Sequence, residues 1–188
     1  MTTYSIPANY LKAAMTHSAV NGSRACLNGI HIRVHNSMMY IVATDGGRAF
    51  IGRYHMPDGT LLHITIPFDT IKLVTKIKSH FYDLTILDGR FSIADINFIP
   101  IDEKFPDINR IIPKTLSGET AQYNPQYLLD AHESLKKWHS PGCFFSMKHS
   151  GSGAGIMSGS DAFVIIMPWI ATSKNSTTDN TTFQVEGD

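Results

Sequence analysis

A short pattern of residues occurs three times along the chain, at intervals of about sixty residues. Each copy has a strand-like stub, a proline and then a helical stretch, at residues 4–19, 63–79 and 121–137. A proline at the first position of a helix costs nothing, because first-turn N–H groups have no partner within the helix. The pattern therefore predicts three copies of one folding unit, with helices starting at Pro7, Pro67 and Pro125.

Each helical stretch carries apolar residues at the three- and four-residue spacing of a helix with one buried face. The residues predicted to form these faces are Leu11, Ala14 and Met15, then Ile71, Val74 and Ile77, and then Leu128, Leu129 and Leu135. One amphipathic helix is expected in each copy.

A β-rich segment follows each helix, at residues 26–54, 82–101 and 143–169. Apolar and polar residues alternate along residues 30–34, which is typical of an antiparallel strand with one wet face. The pairs Asn36-Ser37 and Asp88-Gly89 are turn signals between strands. Each unit is therefore predicted to be a strand, a helix and about three strands, which is an α+β fold.

One such unit cannot cover both its helix and its sheet, so the first two are expected to pack together as a domain at residues 1–114. The third unit, at residues 118–170, is left as a half domain without a partner. Residues 171–188 are rich in Ser, Thr and Asn and are predicted to be a flexible polar tail.

Composition narrows the classes of function. Sixteen basic and sixteen acidic residues cancel, so any DNA contact must come from a local basic face. No apolar run approaches the roughly 20 residues of a membrane span, and the first residues lack the features of a signal peptide, so a cytoplasmic protein is expected. The histidines, aspartates and two cysteines show no ligand or catalytic spacing, so no metal, cofactor or enzymatic activity is predicted.

Four separated motifs resemble the bacterial β sliding clamp of the replicative DNA polymerase, in the order of that family. Residues 24–29 (RACLNG) and 40–49 (YIVATDGGRA) resemble the signature "R..LNG … VATDGHRL" of its middle domain. Residues 105–113 (FPDINRIIP) resemble the link "FPDYRRVLP", and residues 163–169 (FVIIMPW) resemble the closing "YVVMPM". By this match, residues 1–114 are a middle domain and residues 118–170 are the second half of a last domain.

The resemblance implies the DNA-clamp fold, in which sheets form an outer wall and helices line a pore around duplex DNA. The family ring holds twelve repeats, so four copies of this three-repeat chain would complete it. The compact size and the missing first domain suggest a phage or another mobile element as the source.

The family captures clamp-binding peptides of polymerases and other partners in a hydrophobic cleft between the middle and last domains. Carried over by resemblance, this cleft comprises Leu27, Thr44, Gly46, Arg48, Ala49, Pro106, Arg110, Ile111, Ile165, Met167, Pro168 and Trp169. Glycines would admit a peptide backbone, aliphatic side chains would form the floor and arginines would donate hydrogen bonds at the rim. Taken alone, Ile165, Met167 and Trp169 also fit ordinary core positions of a strand.

Contacts with DNA phosphates are expected from basic residues on the three helices and in one loop, without sequence specificity. Lys72 and Lys76 lie four residues apart and would share a helix face. The candidates are Lys12, Arg24, Lys72, Lys76, Lys136 and Lys137, with Lys78 as a further possibility. The alternative is that these are solvated surface lysines.

Two functions follow from the resemblance, and an enzyme of nucleotide metabolism is the third class. The first is a processivity factor for DNA replication that forms a homo-oligomeric ring and tethers polymerase. The second is a peptide-binding module, or decoy, that never encircles DNA. Since the third repeat is expected to lack a partner, at least a dimer through that repeat is predicted in either case.

Overall fold

The computed structural model of the protein describes residues 1–57, 59–139 and 144–169. Cys143 and the predicted tail at 171–188 lie outside these residues. The described helices are α1 (Ala8–Met15), α2 (Phe68–Val74) and α3 (Pro125–Trp138). The described strands are β1 (Thr2–Pro7), β2 (Gly29–His35), β3 (Met38–Thr44), β4 (Arg48–His55), β5 (Leu62–Pro67), β6 (Phe81–Leu87), β7 (Arg90–Ile93), β8 (Ile96–Phe98), β9 (Ser146–Lys148), β10 (Gly155–Ser158) and β11 (Ala162–Ile166).

The three prolines start the three helices, as the sequence predicts. Pro7 and Pro67 each precede the first helical residue with φ of −57°, and Pro125 is the first residue of α3. Before α3, the side chain of Asn124 accepts a hydrogen bond from the backbone N–H of Gln126 at 2.9 Å, which caps an otherwise unpaired donor.

The first two repeats are joined by an exchange of strands. The strand β1 of the first repeat pairs with β6 of the second in a four-stranded sheet ordered β1-β6-β7-β8. In return, β5 of the second repeat pairs with β2 of the first, at the edge of a seven-stranded sheet ordered β5-β2-β3-β4-β11-β10-β9. Each repeat therefore completes the sheet of the other.

The third repeat packs against the first, so the expectation that it lacks a partner is wrong. Its strand β11 pairs antiparallel with β4, from Ala162 opposite Gly52 to Ile166 opposite Arg48. Its helix α3 lies against α1. Residues 121–124, where a leading strand was expected, form no strand, because no reciprocal repeat among the described residues offers them an edge.

The buried helix faces differ in part from the prediction. Leu11 and Ala14 of α1 are fully buried, as predicted. However, Leu129 of α3 is 54% exposed, and Ile77 lies beyond the end of α2 and is 39% exposed. The buried face of α3 is formed instead by residues at helical spacing, namely Ala131, Ser134, Leu135 and Trp138.

The predicted turns are confirmed, but the predicted wet face of β2 is partly covered. The pairs Asn36-Ser37 and Asp88-Gly89 form turns between strands, and their backbones are in the left-handed conformation.

His31 of β2 was expected to face water but is only 6% exposed. The ring of Phe105 stacks on it with centroids 4.5 Å apart, because the segment after β8, residues 99–114, crosses this outer face of the sheet. We call this segment the linker. Among the described residues, no helix is long and apolar enough to cross a membrane.

Candidate functional site

The predicted cleft lies along the pairing of β4 with β11, which joins the first repeat to the third and which we call the seam. Side chains alternate between the two faces of a sheet, so the seam has two sides. The helix side packs against α1 and α3, and the linker side packs against the linker. Some of the predicted cleft residues lie in these two environments, and the others lie elsewhere.

Arg48 lies on the helix side, where contacts within the chain occupy its guanidinium. Its Nε donates to Asp45 at 3.0 Å, its Nη2 donates to the carbonyl of Thr16 at 3.1 Å, and its Nη1 donates to the carboxylate of Asp130 on α3. The guanidinium also lies 4.5 Å from the ring centroid of Tyr127. Only 11% of the Arg48 side chain is exposed, and its contacts connect the end of α1, β4 and α3. The expectation that it offers free donors at a cleft rim is therefore corrected.

Buried polar groups continue this network behind Arg48. Burial alone would raise the pKa of Asp130, but hydrogen bonds from Arg48 and Gln126 outweigh it and hold the pKa below its usual value. Ser134 Oγ donates to the carbonyl of Asp130 at 2.7 Å and lies 2.8 Å from His17 Nε2, which must then carry the proton. Burial, followed by the charge of Arg48, lowers the pKa of His17 to about 3, so this histidine is neutral at pH 7.

Trp138 fills the remaining space on the helix side. Its indole stacks on Tyr10 of α1 with ring centroids 3.7 Å apart, and it lies 5.4 Å from the ring of Phe50. A Cβ on Gly52 would lie 2.3 Å from this indole, so only glycine fits at that position of β4. The helix side of the seam is therefore closed.

Four of the predicted cleft residues are buried within the chain. Leu27 and Thr44 are each 6% exposed, and Ala49 and Ile165, which face each other across the seam, are each 1% exposed. Thr44 Oγ1 donates to the carbonyl of Arg48 at 2.7 Å and stabilises the turn between β3 and β4. The view of Ile165 as a core strand residue therefore describes its position correctly.

The linker side contains an open cavity of about 850 Å³, which we call the seam cavity. Three of the predicted cleft residues, Arg110, Ile111 and Met167, contribute to its lining. Ile111 and Met167 are 43% and 47% exposed, and Met167 is held by a hydrogen bond from its N–H to the carbonyl of Gly47 at 3.0 Å. The other lining residues are Asn109, Ile112, Pro113, Lys114 and Ala154.

The remaining predicted cleft residues lie elsewhere. Pro106 lines a second cavity of about 760 Å³ on the outer face of the sheet rather than the seam cavity. Gly46 is exposed in the turn before β4, and Pro168 is half-buried. Trp169 is 53% exposed, and its N–H donates to the carbonyl of Gln122 at 2.7 Å.

Sequence reasoning missed several parts of the site. Ile112 and Pro113 belong to the matched motif at residues 105–113 and directly follow the predicted Ile111, so their apolar character was a usable signal. Ala154 belongs to a glycine-rich loop between β9 and β10 and carried no such signal. Asp130 and Ser134 of α3 carried no signal, because their partners Arg48 and His17 are distant in sequence.

The candidate DNA contacts are distributed over all three helices. Lys12 is half-buried in the last turn of α1, and Lys72 is exposed in the last turn of α2. Because α2 ends at Val74, Lys76 lies in the following turn, and the expectation that Lys72 and Lys76 share a helix face is wrong. Lys136 and Lys137 are exposed at the end of α3, and Arg24 is exposed before a short 3₁₀-helix at Ala25–Leu27. Lys136 also pairs with Glu133 at 3.8 Å.

The described residues contain no group of three or more His, Cys, Asp or Glu side chains that could hold a metal ion. His17 and Ser134 are in hydrogen-bond contact, but both are fully buried, so a substrate has no path to this pair.

Solved sliding clamps share this fold. The DNA polymerase III beta subunit from Thermotoga maritima aligns with a TM-score of 0.71 and 13% identity over 92% of this chain and 66% of that one. The DNA polymerase sliding clamp from Pseudomonas aeruginosa, solved with ligand, aligns with a TM-score of 0.67 and 16% identity over 90% of this chain and 66% of that one. The DNA polymerase III beta chain from Streptococcus pneumoniae aligns with a TM-score of 0.72 and 14% identity, over 91% and 65% of the two chains.

This chain thus spans about two thirds of the length of the clamps it matches. No family model matches the sequence, and no curated protein matches it. The α+β architecture and the strand exchange agree with the fold predicted from the motifs. The chain has the fold of the DNA polymerase III beta sliding clamp over about two thirds of that protein's length.

Proposed function

We propose that this protein is a subunit of a sliding-clamp-like processivity factor for DNA replication. Its seam cavity captures clamp-binding peptides of a polymerase and other partners, and several copies assemble into a ring around duplex DNA. The observation that carries the proposal is the seam cavity itself, where Arg110, Ile111 and Met167 converge in a chain with the clamp fold.

The chemistry of the seam cavity suits a short peptide with apolar side chains. Ile111, Ile112 and Met167 offer aliphatic surface that adapts to different side chains. Arg110 and Lys114 add two cations at the same cavity, and Arg110 is 85% exposed, so it can reach a carbonyl or carboxylate of a bound peptide. Such a site binds through a few anchors rather than through a large interface.

Assembly into a ring requires two association surfaces on each copy, and the two sheets offer them. The strand β8 ends the four-stranded sheet, and β9 ends the seven-stranded sheet. Each of these edges can pair with a strand of another copy. Because the helix face of the third repeat is already covered by α1, its sheet edge, rather than its helix, is the surface for a neighbouring copy.

The peptide-binding part is tested by fluorescence anisotropy with a labelled clamp-binding peptide from a bacterial replicative polymerase. We expect Ile111→Ser combined with Met167→Ser to weaken binding about tenfold or more, because both side chains are exposed apolar anchors. A suitable control is Leu129→Ser, which removes a similarly exposed side chain from α3. Binding of the double variant within about twofold of the unmodified protein would refute the assignment of the cavity.

A second candidate function is a clamp-derived peptide-binding module that does not encircle DNA. Leu73 of α2 and Leu129 of α3 are 51% and 54% exposed among the candidate DNA-binding lysines, which is unusual for a surface that faces phosphates. This candidate predicts the same peptide binding, but no change in assembly state when duplex DNA is added.

A further inference from the structure

A row of polar and charged residues crosses the outer face of the seven-stranded sheet, away from the seam cavity. Arg33 of β2 lies opposite His63 of β5 on one side and opposite Tyr40 of β3 on the other, and Tyr40 lies opposite Arg53 of β4. Directly opposed residues point to the same face of a sheet, so these four side chains form one ladder. We call His63, Arg33, Tyr40 and Arg53 the outer ladder.

An apolar floor adjoins the outer ladder in the next row of the same face. His31, Val42 and Ile51 lie opposite one another on β2, β3 and β4, and all three are buried. His31 is stacked under Phe105, and its Nδ1 lies 2.9 Å from Thr65 Oγ1. Burial, followed by the nearby His63 and Arg33, lowers the pKa of His31 to about 4, so the floor is uncharged at pH 7.

The linker forms the wall that turns this face into a groove. Phe105, Ile108 and Ile112 pack on the sheet beside the outer ladder, and Lys104 stands at the start of this wall. The cavity between wall and ladder has a volume of about 760 Å³, which falls within the range of known ligand sites. We call this cavity the outer groove.

The charges of the outer groove leave a surplus of cations. Asp161 pairs with Arg53 at 3.4 Å, and Asp107 pairs with Arg110 at 3.6 Å, so both carboxylates at the groove are compensated. Arg33 and Lys104 are exposed and form no ion pair with any of the described residues. In a chain of zero net charge, this is a local positive site.

We propose that the outer groove binds an acidic peptide segment that carries one apolar anchor side chain. The anchor enters over Val42 and Ile51, and the carboxylates on either side pair with Arg33 and Lys104. From β5 to β4 the outer ladder crosses three strand spacings of about 4.8 Å, and an extended chain advances about 3.3 Å per residue, so about four to five residues fit. This site is separate from the proposed capture of clamp-binding peptides, because the four proposed contacts do not line the seam cavity, although the side chain of Ile112 lines both cavities.

A peptide suits the groove better than single-stranded nucleic acid. Bases bind to such surfaces by stacking on free aromatic faces. Here His31 and Phe105 stack on each other and are only 6% and 5% exposed, so neither offers a free face.

The test uses the full chain and a fluorescein-labelled pentapeptide, Asp-Glu-Phe-Glu-Asp, in an anisotropy titration. Two matched peptides replace the acids by Asn and Gln, or the Phe by Ser. We expect each replacement to weaken binding about tenfold, and we expect the acidic peptide to lose affinity as NaCl is raised from about 50 mM to about 300 mM. Equal binding of the acidic and the neutral peptide would overturn the proposal, as would no saturation by about 1 mM peptide.

Variants of the protein test whether the acidic pentapeptide binds in the outer groove. Arg33→Glu with Lys104→Glu is expected to weaken the acidic peptide about tenfold or more, whereas Arg90→Glu, an exposed arginine on the other sheet, leaves it unchanged. The Met167→Ser variant is expected to bind the pentapeptide normally, which separates this site from the seam cavity. Unchanged binding by the double variant, or tighter binding of a six-nucleotide oligothymidylate than of the peptide, would overturn the proposal.

Discussion

The two sides of the seam differ in how tightly the chain packs against β4 and β11. On the helix side, Arg48, His17 and Trp138 fill the space between α1 and α3 with ion pairs, hydrogen bonds and stacked rings. On the linker side, Met167 and Ile111 remain nearly half exposed around an open cavity. The first side holds the repeats together, and the second is the proposed binding site for a partner.

This contrast separates stability from recognition within one set of predicted cleft residues. Alternation along β4 places Arg48 toward the helices and Ala49 under the linker. Residues that look like one binding motif in sequence therefore have different roles in the structure. Substitutions on the two sides are therefore expected to differ in their effect on the free energy of unfolding.

The largest effect is expected from Trp138→Ala on the helix side. Trp138 is 4% exposed and stacks on Tyr10, so its removal leaves a cavity and is expected to lower the free energy of unfolding by about 3–5 kcal/mol. Urea unfolding followed by circular dichroism measures this change. The control is Trp169→Ala, which removes a 53% exposed indole and is expected to change stability by about 0.5 kcal/mol or less. Equal losses in the two variants would contradict the contrast.

The next effect is expected from Arg48→Met. Without the guanidinium, the carboxylates of Asp45 and Asp130 lose their partner in a partly buried site, which is expected to cost about 3 kcal/mol. A double-mutant cycle with Asp130→Asn measures the coupling between the two side chains by urea unfolding. If Arg48→Met unfolds like the unmodified protein but no longer binds peptide, then Arg48 is a rim donor and its structural role is refuted.

Acid is expected to destabilise the protein through its buried histidines. The pKa values of His17 and His31 are lowered in the folded state, to about 3 and about 4, from an ordinary value of 6.5. Below about pH 6.5 the unfolded chain binds protons that the folded chain does not, so stability falls as the pH falls from about 6.5 toward these values. Asp130, whose pKa is lowered from 3.8, contributes only below this window.

Urea unfolding at pH 7.5 and 5.5 is expected to show a loss of about 3 kcal/mol from these two histidines together. His17→Gln with His31→Asn keeps a hydrogen-bonding group at each position and is expected to flatten the pH dependence. As a control, replacement of the exposed His80 by Asn should leave the pH dependence of the free energy of unfolding unchanged. A double variant with the original pH dependence would show that other groups control it.

The smallest effect on stability is expected on the linker side. Ile111→Ser combined with Met167→Ser removes surface side chains around an open cavity, so the free energy of unfolding should change by less than about 1 kcal/mol. The same variant is the one expected to lose binding of the clamp peptide. A loss of stability as large as that of Arg48→Met would mean that the linker side is structural as well.

The sequence was sufficient for features governed by local patterns. Helix starts follow from Pro7, Pro67 and Pro125, and turns follow from pairs such as Asp88-Gly89, because these residues restrict the backbone wherever they occur. The fold followed from motif order, and the structural matches agree with it.

Features that depend on contacts between distant segments could not be predicted in the same way. Apolar spacing alone placed Leu129 on a buried face, but α3 buries Ser134 instead because His17, in the turn after α1, provides its hydrogen bond. His31 appeared to face water because nothing in β2 reveals that Phe105 covers it. Arg48 appeared free because its partner, Asp130, lies 82 residues away in sequence.

Light scattering over a range of concentrations, with circular and with linear duplex DNA, tests the proposed function most directly. We expect four copies of the 20.8 kDa chain in one assembly, retained on circular DNA and lost from the ends of linear DNA. A monomer or dimer that is unaffected by either DNA would contradict assembly into a ring and would favour the peptide-binding module.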